Sequence, residues 1–149
     1  INTNPKIGDS YVEFYANETQ KIIEIQSNSL LAANTEISSA SINYYLNDLV
    51  ARFYENRNYK PVWTINYQTS TRFNSLKSLL DSANYLGFPG DIFHAAFLDK
   101  LNKDFISSSK TNSLEKRIDF EMQASREMFR YLLYTHNGII LSHLNDSIQ

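Results

Sequence analysis

The residues able to do chemistry in this sequence are three histidines, sixteen acidic residues and many serines, with no cysteine. Without cysteine the chain has no thiol nucleophile, no disulfide and no thiolate metal ligand. His94, His136 and His143 form no His-x-x-x-His or His-Glu-x-x-His pattern, so no local framework for zinc exists. We therefore predict no metal site and no cofactor.

Other catalytic arrangements are missing as well. The four glycines are isolated, which excludes a glycine-rich phosphate-binding loop, and no Gly-x-Ser-x-Gly turn activates a serine. Asp91 and His94 could form an acid–base pair, but Asp91 is better explained as a helix cap. Glu115, Asp119 and Glu121 lie on one predicted helix, which favours a solvated charged face over a glycosidase pair. We predict no catalytic residue.

Residues 53–64 form the most distinctive segment, Phe-Tyr-Glu-Asn-Arg-Asn-Tyr-Lys-Pro-Val-Trp-Thr, in which a helix runs into an extended proline step. It carries the only tryptophan, Trp63. One interpretation is packing, in which the Trp63 ring buries on the order of 200 Å² between helix ends. The other is recognition, in which Tyr59 and Trp63 line the end of a groove. Packing is favoured because large loop aromatics often anchor cores, and Tyr59 and Trp63 remain the candidate binding residues.

The elements that would position these residues are mainly helical. Three stretches show the apolar period of an amphipathic helix, at residues 39–56, 71–86 and 113–137. A shorter helix is expected over 92–101, capped by Asp91, and residues 103–112 are expected to form a loop. The first forty residues are ambiguous, since 11–15 alternate like a short strand whereas a helix over 19–33 is preferred.

Short hydroxyl side chains stand before the predicted helices, where they can accept hydrogen bonds from first-turn amides. They are Ser38, Ser39 or Ser41 before the first helix and Ser70 or Thr71 before the second. Gly87 and Gly138 follow the second and third helices, at the place where a left-handed residue commonly ends a helix.

The length of the chain limits the size of its core, and the helical pattern indicates the fold class. A chain of 149 residues and 17.2 kDa can bury about 69% of its unfolded surface, enough for one core. We expect an all-α (mainly helical) bundle of four to six helices with little or no sheet. Residues 1–37 are expected to form an N-terminal extension of uncertain structure, and residues 38–149 the helical domain. The net charge of −2 gives no reason to expect a nucleic acid, and no transmembrane segment is expected.

Residues 53–63 resemble the Phe-Tyr-x-x-Arg-x-Tyr-x-Pro-x-Trp stretch of the N-terminal scaffold domain of large multidomain peptidoglycan L,D-transpeptidases. Residues 76–93 resemble the helix and Gly-Leu-x-Pro-x-Asp-Tyr turn of that family. Residues 120–138 are similar to the helix that precedes a glycine near the end of the scaffold. The resemblance covers about residues 49–140.

The resemblance implies a non-catalytic helical scaffold that positions a separate catalytic domain in peptidoglycan cross-linking. In that family the catalytic domain uses a cysteine in a Ser-x-Gly-Cys-x-Arg-like motif, helped by a histidine. This chain has no cysteine and no Ser-x-Gly, so it is expected not to be an enzyme by itself.

Partners and location also follow from the resemblance. The expected partners are the remaining domains of the parent transpeptidase, with peptidoglycan or envelope proteins as further partners, and an apolar docking patch should be exposed. The expected location is the periplasm or cell envelope, with a signal or anchor segment removed. One alternative is a stand-alone helical binding or adaptor module for peptidoglycan or an envelope protein. The last-ranked alternative is a small enzyme using carboxylates or His94.

Overall fold

The computed structural model describes residues 7–88, 91–109 and 111–136. The helices are α1 (Ile7–Ala33), α2 (Ile42–Asn56), α3 (Thr71–Asp81), α4 (Ala95–Ile106) and α5 (Ser113–His136). An antiparallel hairpin of β1 (Thr64–Ile65) and β2 (Gln68–Thr69) joins α2 to α3. The expected mainly helical fold is thus confirmed. Within the described ranges, no helix combines the length and apolar character needed to span a membrane.

The first helix is longer than predicted. α1 covers Ile7–Ala33, so residues 11–15 are helical and the strand-like alternation there was misleading. Buried side chains recur on α1 every four residues, which places them on one face of the helix. They are Tyr15, Thr19, Ile23 and Ser27. This face packs against α2 and α5, and the proposed division of the chain at residue 37 stays a prediction.

The predicted caps of α2 and α3 are confirmed. Ser41 precedes α2 and its hydroxyl accepts the Asn43 amide at 3.2 Å. Ser70 precedes α3 and its hydroxyl accepts the Arg72 amide at 3.0 Å. α3 ends at Asp81, earlier than predicted, because the last turn tightens into a 3-10 helix over Ser82–Leu86. Gly87 follows with a φ of +86°, the left-handed conformation that the sequence predicted.

The fourth helix was predicted at the wrong bounds. α4 covers Ala95–Ile106, so it begins later than residue 92 and includes part of the predicted 103–112 loop. It cannot begin earlier because His94, with φ 54° and ψ 38°, is left-handed. Asp91 still acts as the predicted cap, since its Oδ1 accepts the Ala95 amide at 2.7 Å.

α5 is the central helix, with contacts to α1, α2, α3 and α4. Phe120 of α5 is fully buried in the middle of the core. The Phe73 ring meets it edge-to-face at 4.8 Å between centroids, and the Phe105 ring stacks on it at 6.3 Å. The predicted end of this helix at Gly138 lies outside the described residues. The main core surrounds α5 and also includes buried side chains of α1, α2, α3 and α4.

Replacing Phe120 tests this arrangement. We expect Phe120→Ala to lower the free energy of unfolding by about 3–5 kcal/mol, because it leaves a cavity between the Phe73 and Phe105 rings. Urea denaturation followed by circular dichroism measures the change. The control is Leu79→Ala, where the side chain is 47% exposed and the expected change is within about 0.5 kcal/mol. Equal losses in the two variants would contradict the assignment of Phe120 to the core.

Candidate functional site

The tryptophan-bearing segment wraps around one carboxylate, that of the fully buried Glu121 on α5. Glu121 Oε1 accepts the backbone amides of Val62 at 2.9 Å and Trp63 at 2.5 Å. The Thr64 hydroxyl donates to the same oxygen at 3.2 Å. Glu121 Oε2 accepts the Tyr54 hydroxyl at 2.7 Å. Four donors from the end of α2 and the step after it thus converge on a single side chain.

The expectation that Glu121 lies on a solvated charged face is wrong. Two residues along an α-helix turn the side chain by about 200°, so Glu121 faces away from Asp119. Glu115 and Asp119 are exposed as expected, whereas Glu121 points into the core. A buried carboxylate is costly unless it is hydrogen-bonded, and the four donors around Glu121 meet that condition.

Trp63 is 5% exposed and lies in the main core cluster. Its indole Nε1 donates to Ser125 Oγ at 2.8 Å, and the same hydroxyl lies 2.6 Å from the Tyr54 hydroxyl. The ring's only polar atom is therefore satisfied inside the protein. Tyr59 is half-buried against the same core with a left-handed φ of 61°. A binding role for Tyr59 and Trp63 stays a prediction.

Arg117, which the sequence analysis did not name, completes this buried polar cluster. Its Nε donates to Thr64 Oγ1 at 2.7 Å and its Nη1 to Thr19 Oγ1 at 2.9 Å. The guanidinium carbon also lies 4.9 Å from the centre of the Tyr15 ring. The Thr64 hydroxyl therefore accepts from Arg117 and donates to Glu121, linking the two charges. We call Tyr54, Val62–Thr64, Arg117, Glu121 and Ser125 the buried tie.

The sequence held one signal for the buried tie. Arg117, Glu121 and Ser125 recur every four residues on α5, which places them on one helix face beside the apolar core positions. Polar residues at this spacing are more often solvated, so the pattern alone did not separate the two cases. Their hydrogen-bond partners in other elements lie 53–98 residues away in the chain, beyond the reach of local pattern analysis.

Burial raises the pKa of Glu121 above the ordinary value of 4.5, while the hydrogen bonds from Tyr54 and the two amides and the charge of Arg117 oppose that rise. Burial likewise lowers the pKa of Arg117. For Tyr54, burial and then the Glu121 charge raise the pKa well above 10.0. These shifts share one physical cause, the exclusion of water from the buried tie.

His94 does not pair with Asp91, whose carboxylate caps α4. Instead His94 Nδ1 donates to Glu127 Oε1 at 2.9 Å, with the histidine side chain 48% exposed and the glutamate fully buried. Glu127 also accepts Gln123 Nε2 and Arg130 Nε, each at 2.8 Å. The His94 contact holds the start of α4 against α5, and His94 Nε2 has no hydrogen-bond partner among the described residues.

A metal site finds no support in the described ranges, where no group of three histidine or acidic side chains could hold an ion. The His136 side chain and all of His143 lie outside the described residues.

A cavity of about 420 Å³ opens where α1, α2, α4 and α5 meet. Its walls combine apolar side chains with amides and two opposite charges; they include Leu30, Phe97, Met122, Gln123, Asp119 and Arg126. A second cavity of about 360 Å³ adjoins it and shares Gln26, Ile118 and Asp119. Neither Tyr59 nor Trp63 lines these two cavities, so the sequence analysis missed this surface.

The chain matches a known protein family. A family model described as a scaffold domain matches residues 48–147. The chain belongs to the scaffold-domain family. The match confirms the resemblance seen in the sequence and is consistent with a scaffold domain of L,D-transpeptidases. No curated protein and no solved structure matches the chain. The matched range includes the buried tie. Helix α1 precedes the matched range and packs against α2 and α5.

Removing the central carboxylate should destabilise the scaffold domain. We expect Glu121→Ala to lower the free energy of unfolding by about 3–5 kcal/mol, because it removes the negative charge nearest the buried Arg117 network and leaves two buried amides without an acceptor. Urea denaturation measures the loss. Glu115→Ala, an exposed position on the same helix, should change it by about 0.5 kcal/mol or less. A similar loss in both variants would show that Glu121 is not structurally special.

The pH dependence of stability should also report on Glu121. Because its pKa is raised in the folded state, the folded chain binds this proton more tightly than the unfolded chain does. The stabilisation that comes from this tighter proton binding is therefore fully present below the unfolded pKa of about 4.5. It is lost as the pH rises through the pKa of Glu121 in the folded state. Urea unfolding at increasing pH should show wild type losing stability relative to Glu121→Gln. A difference that stays constant with pH would contradict this assignment.

Proposed function

We propose that this scaffold domain is a non-catalytic module of a cell-wall L,D-transpeptidase that positions the catalytic domain during peptidoglycan cross-linking. The observation that carries the proposal is the buried tie. The motif of residues 53–63 places Tyr54 and Trp63 in contact with Glu121 and Ser125 inside the core. Side chains bonded in this way support a rigid shape and are not free to react with a substrate.

The absence of cysteine from the sequence supports the same proposal. A transpeptidation step through a thiolate needs a thiol, and this chain supplies none. The nucleophile is therefore proposed to come from another domain of the parent protein. Peptidoglycan lies outside the cytoplasmic membrane, so the proposed location is the periplasm or cell envelope.

An apolar surface at the end of α3 supports docking to the remaining domains. Leu79, Tyr85 and Leu86 are 47%, 92% and 55% exposed, and they fall within eight residues of the chain. We call these three residues the α3 patch. Clustered exposed apolar side chains are typical of surfaces that contact another protein. We propose that the α3 patch contacts the rest of the parent transpeptidase.

The experiment that tests the function combines the full reading frame with an activity assay. We expect a Ser-x-Gly-Cys-x-Arg-like motif elsewhere in the frame, and loss of peptide cross-links when residues 48–147 are deleted from the full protein. The purified 149-residue chain should neither cleave nor join muropeptides. Activity of this chain unaided, or undiminished cross-linking by the deleted protein, would overturn the proposal.

Substitution of the α3 patch tests the docking surface. We expect the double variant Tyr85→Ser with Leu86→Ser to weaken the affinity between separately produced scaffold and catalytic domains by about tenfold or more, because it removes an aromatic anchor. Calorimetric titration measures the affinity, and circular dichroism should show an unchanged fold. The matched control is Phe14→Ser with Ile25→Ser, which are 61% and 54% exposed on α1. Equal weakening by the control pair would exclude the α3 patch as the docking surface.

A further inference from the structure

The larger cavity carries two opposite charges that the protein itself does not neutralise. Asp119 and Arg126 both line it. In the part of the chain that the structure describes, neither side chain forms an ion pair. Asp119 is exposed and Arg126 is half-buried, so a ligand that brings complementary charges can reach both side chains from the cavity.

Arg126 is half-buried between α5 and α2. Its Nη1 donates to Asn47 Oδ1 at 2.7 Å and its Nη2 to Asn43 Oδ1 at 2.9 Å, so both acceptors are neutral. Burial, and then the neighbouring Arg130, lower the pKa of Arg126, while Glu127 opposes them. Glu127 is itself bonded to Arg130 and other donors. A guanidinium held in this way is suited to bind a carboxylate.

Asp119 also lines this cavity, and its carboxylate has no hydrogen bond to a described residue. Partial loss of hydration, and then the nearby Glu115 carboxylate, raise the pKa of Asp119, while Lys116 opposes them. The local surroundings thus disfavour its negative charge. A ligand ammonium placed beside Asp119 would relieve this cost.

The spacing of the two residues along α5 sets the length scale of the ligand. Asp119 and Arg126 are seven residues apart on α5, which is about two turns and about 10.5 Å along the axis on one face. An extended peptide of three residues spans about 10 Å. Among the other lining residues, Phe97 and Met122 offer apolar contacts, and Gln123 offers an amide for a peptide backbone.

We propose that this cavity binds a free peptide of about three residues, with its terminal carboxylate at Arg126, its terminal ammonium at Asp119 and a central apolar side chain against Phe97 and Met122. The proposal goes beyond the positioning role, because it gives the scaffold domain a ligand of its own. It concerns the 149-residue chain alone and does not depend on a catalytic domain.

Calorimetric titration of the 149-residue chain with the tripeptide Ala-Leu-Ala at low ionic strength tests the proposal. We expect C-terminal amidation and N-terminal acetylation each to weaken binding by about tenfold, since each removes one charged contact. Ala-Asp-Ala should also bind more weakly, because its central carboxylate would lose hydration against the apolar side chains of the cavity.

Substitutions of Arg126 and Asp119 test which end of the peptide each residue binds. Arg126→Met should weaken the binding of Ala-Leu-Ala by about tenfold. In this variant, C-terminal amidation of the peptide should have no further effect on binding. Arg126→Lys should recover part of the affinity. Asp119→Asn should likewise remove the effect of acetylation. The matched control is Arg52→Met, which removes an exposed guanidinium paired with Asp48 outside the cavity and should leave binding unchanged.

Three results would overturn the proposal: no binding of any peptide, equal binding of the free and end-blocked peptides, or equal weakening by Arg52→Met. Should Arg126→Met fail to fold, because Arg126 also bonds α2, the end-blocked peptides on the wild-type chain decide the matter alone. Failure here leaves the proposed positioning role standing, because cross-linking by the full protein measures that role independently.

Discussion

The carboxylate of Glu121 holds two distant parts of the chain in one geometry. It accepts the amides of Val62 and Trp63, and these residues lead directly into the hairpin and α3. Without an acceptor at this point, both amides would be buried and unpaired as the chain leaves α2. The position of α3 against α5 therefore depends on a charged side chain inside the core.

The same interaction extends to α1 through Arg117 and Thr64. Arg117 donates to Thr19 of α1 as well as to Thr64, and Thr64 donates to Glu121. Buried charges of this kind add little net stability, because desolvation offsets their attraction. Their donors are directional, however, and an altered helix register would leave charges unpaired. We therefore interpret the buried tie as a device that selects one arrangement of α1, the hairpin and α5.

Features that depend on neighbouring residues were predictable from the sequence. Ser41, Ser70, Asp91 and Gly87 act at helix ends as predicted, because a cap involves only residues a few positions away. The burial of Glu121 was not predictable, since its donors belong to another part of the chain. For the same reason the His94–Glu127 contact and the cavity between four helices were missed. Local patterns specify elements, whereas packing decides which polar residues are buried.

The two sides of α5 consequently have different chemistry. Arg117, Glu121 and Ser125 lie on one face and find their partners inside the protein, while Asp119 and Arg126 border the cavity. The first face fixes how α1 and the hairpin lie against α5, and α1 and α5 also form walls of the cavity. A cavity whose walls are fixed in advance loses less conformational entropy when a ligand binds. The internal polar contacts thus provide the rigidity that the proposed peptide site requires, although none of the buried-tie residues lines the cavity.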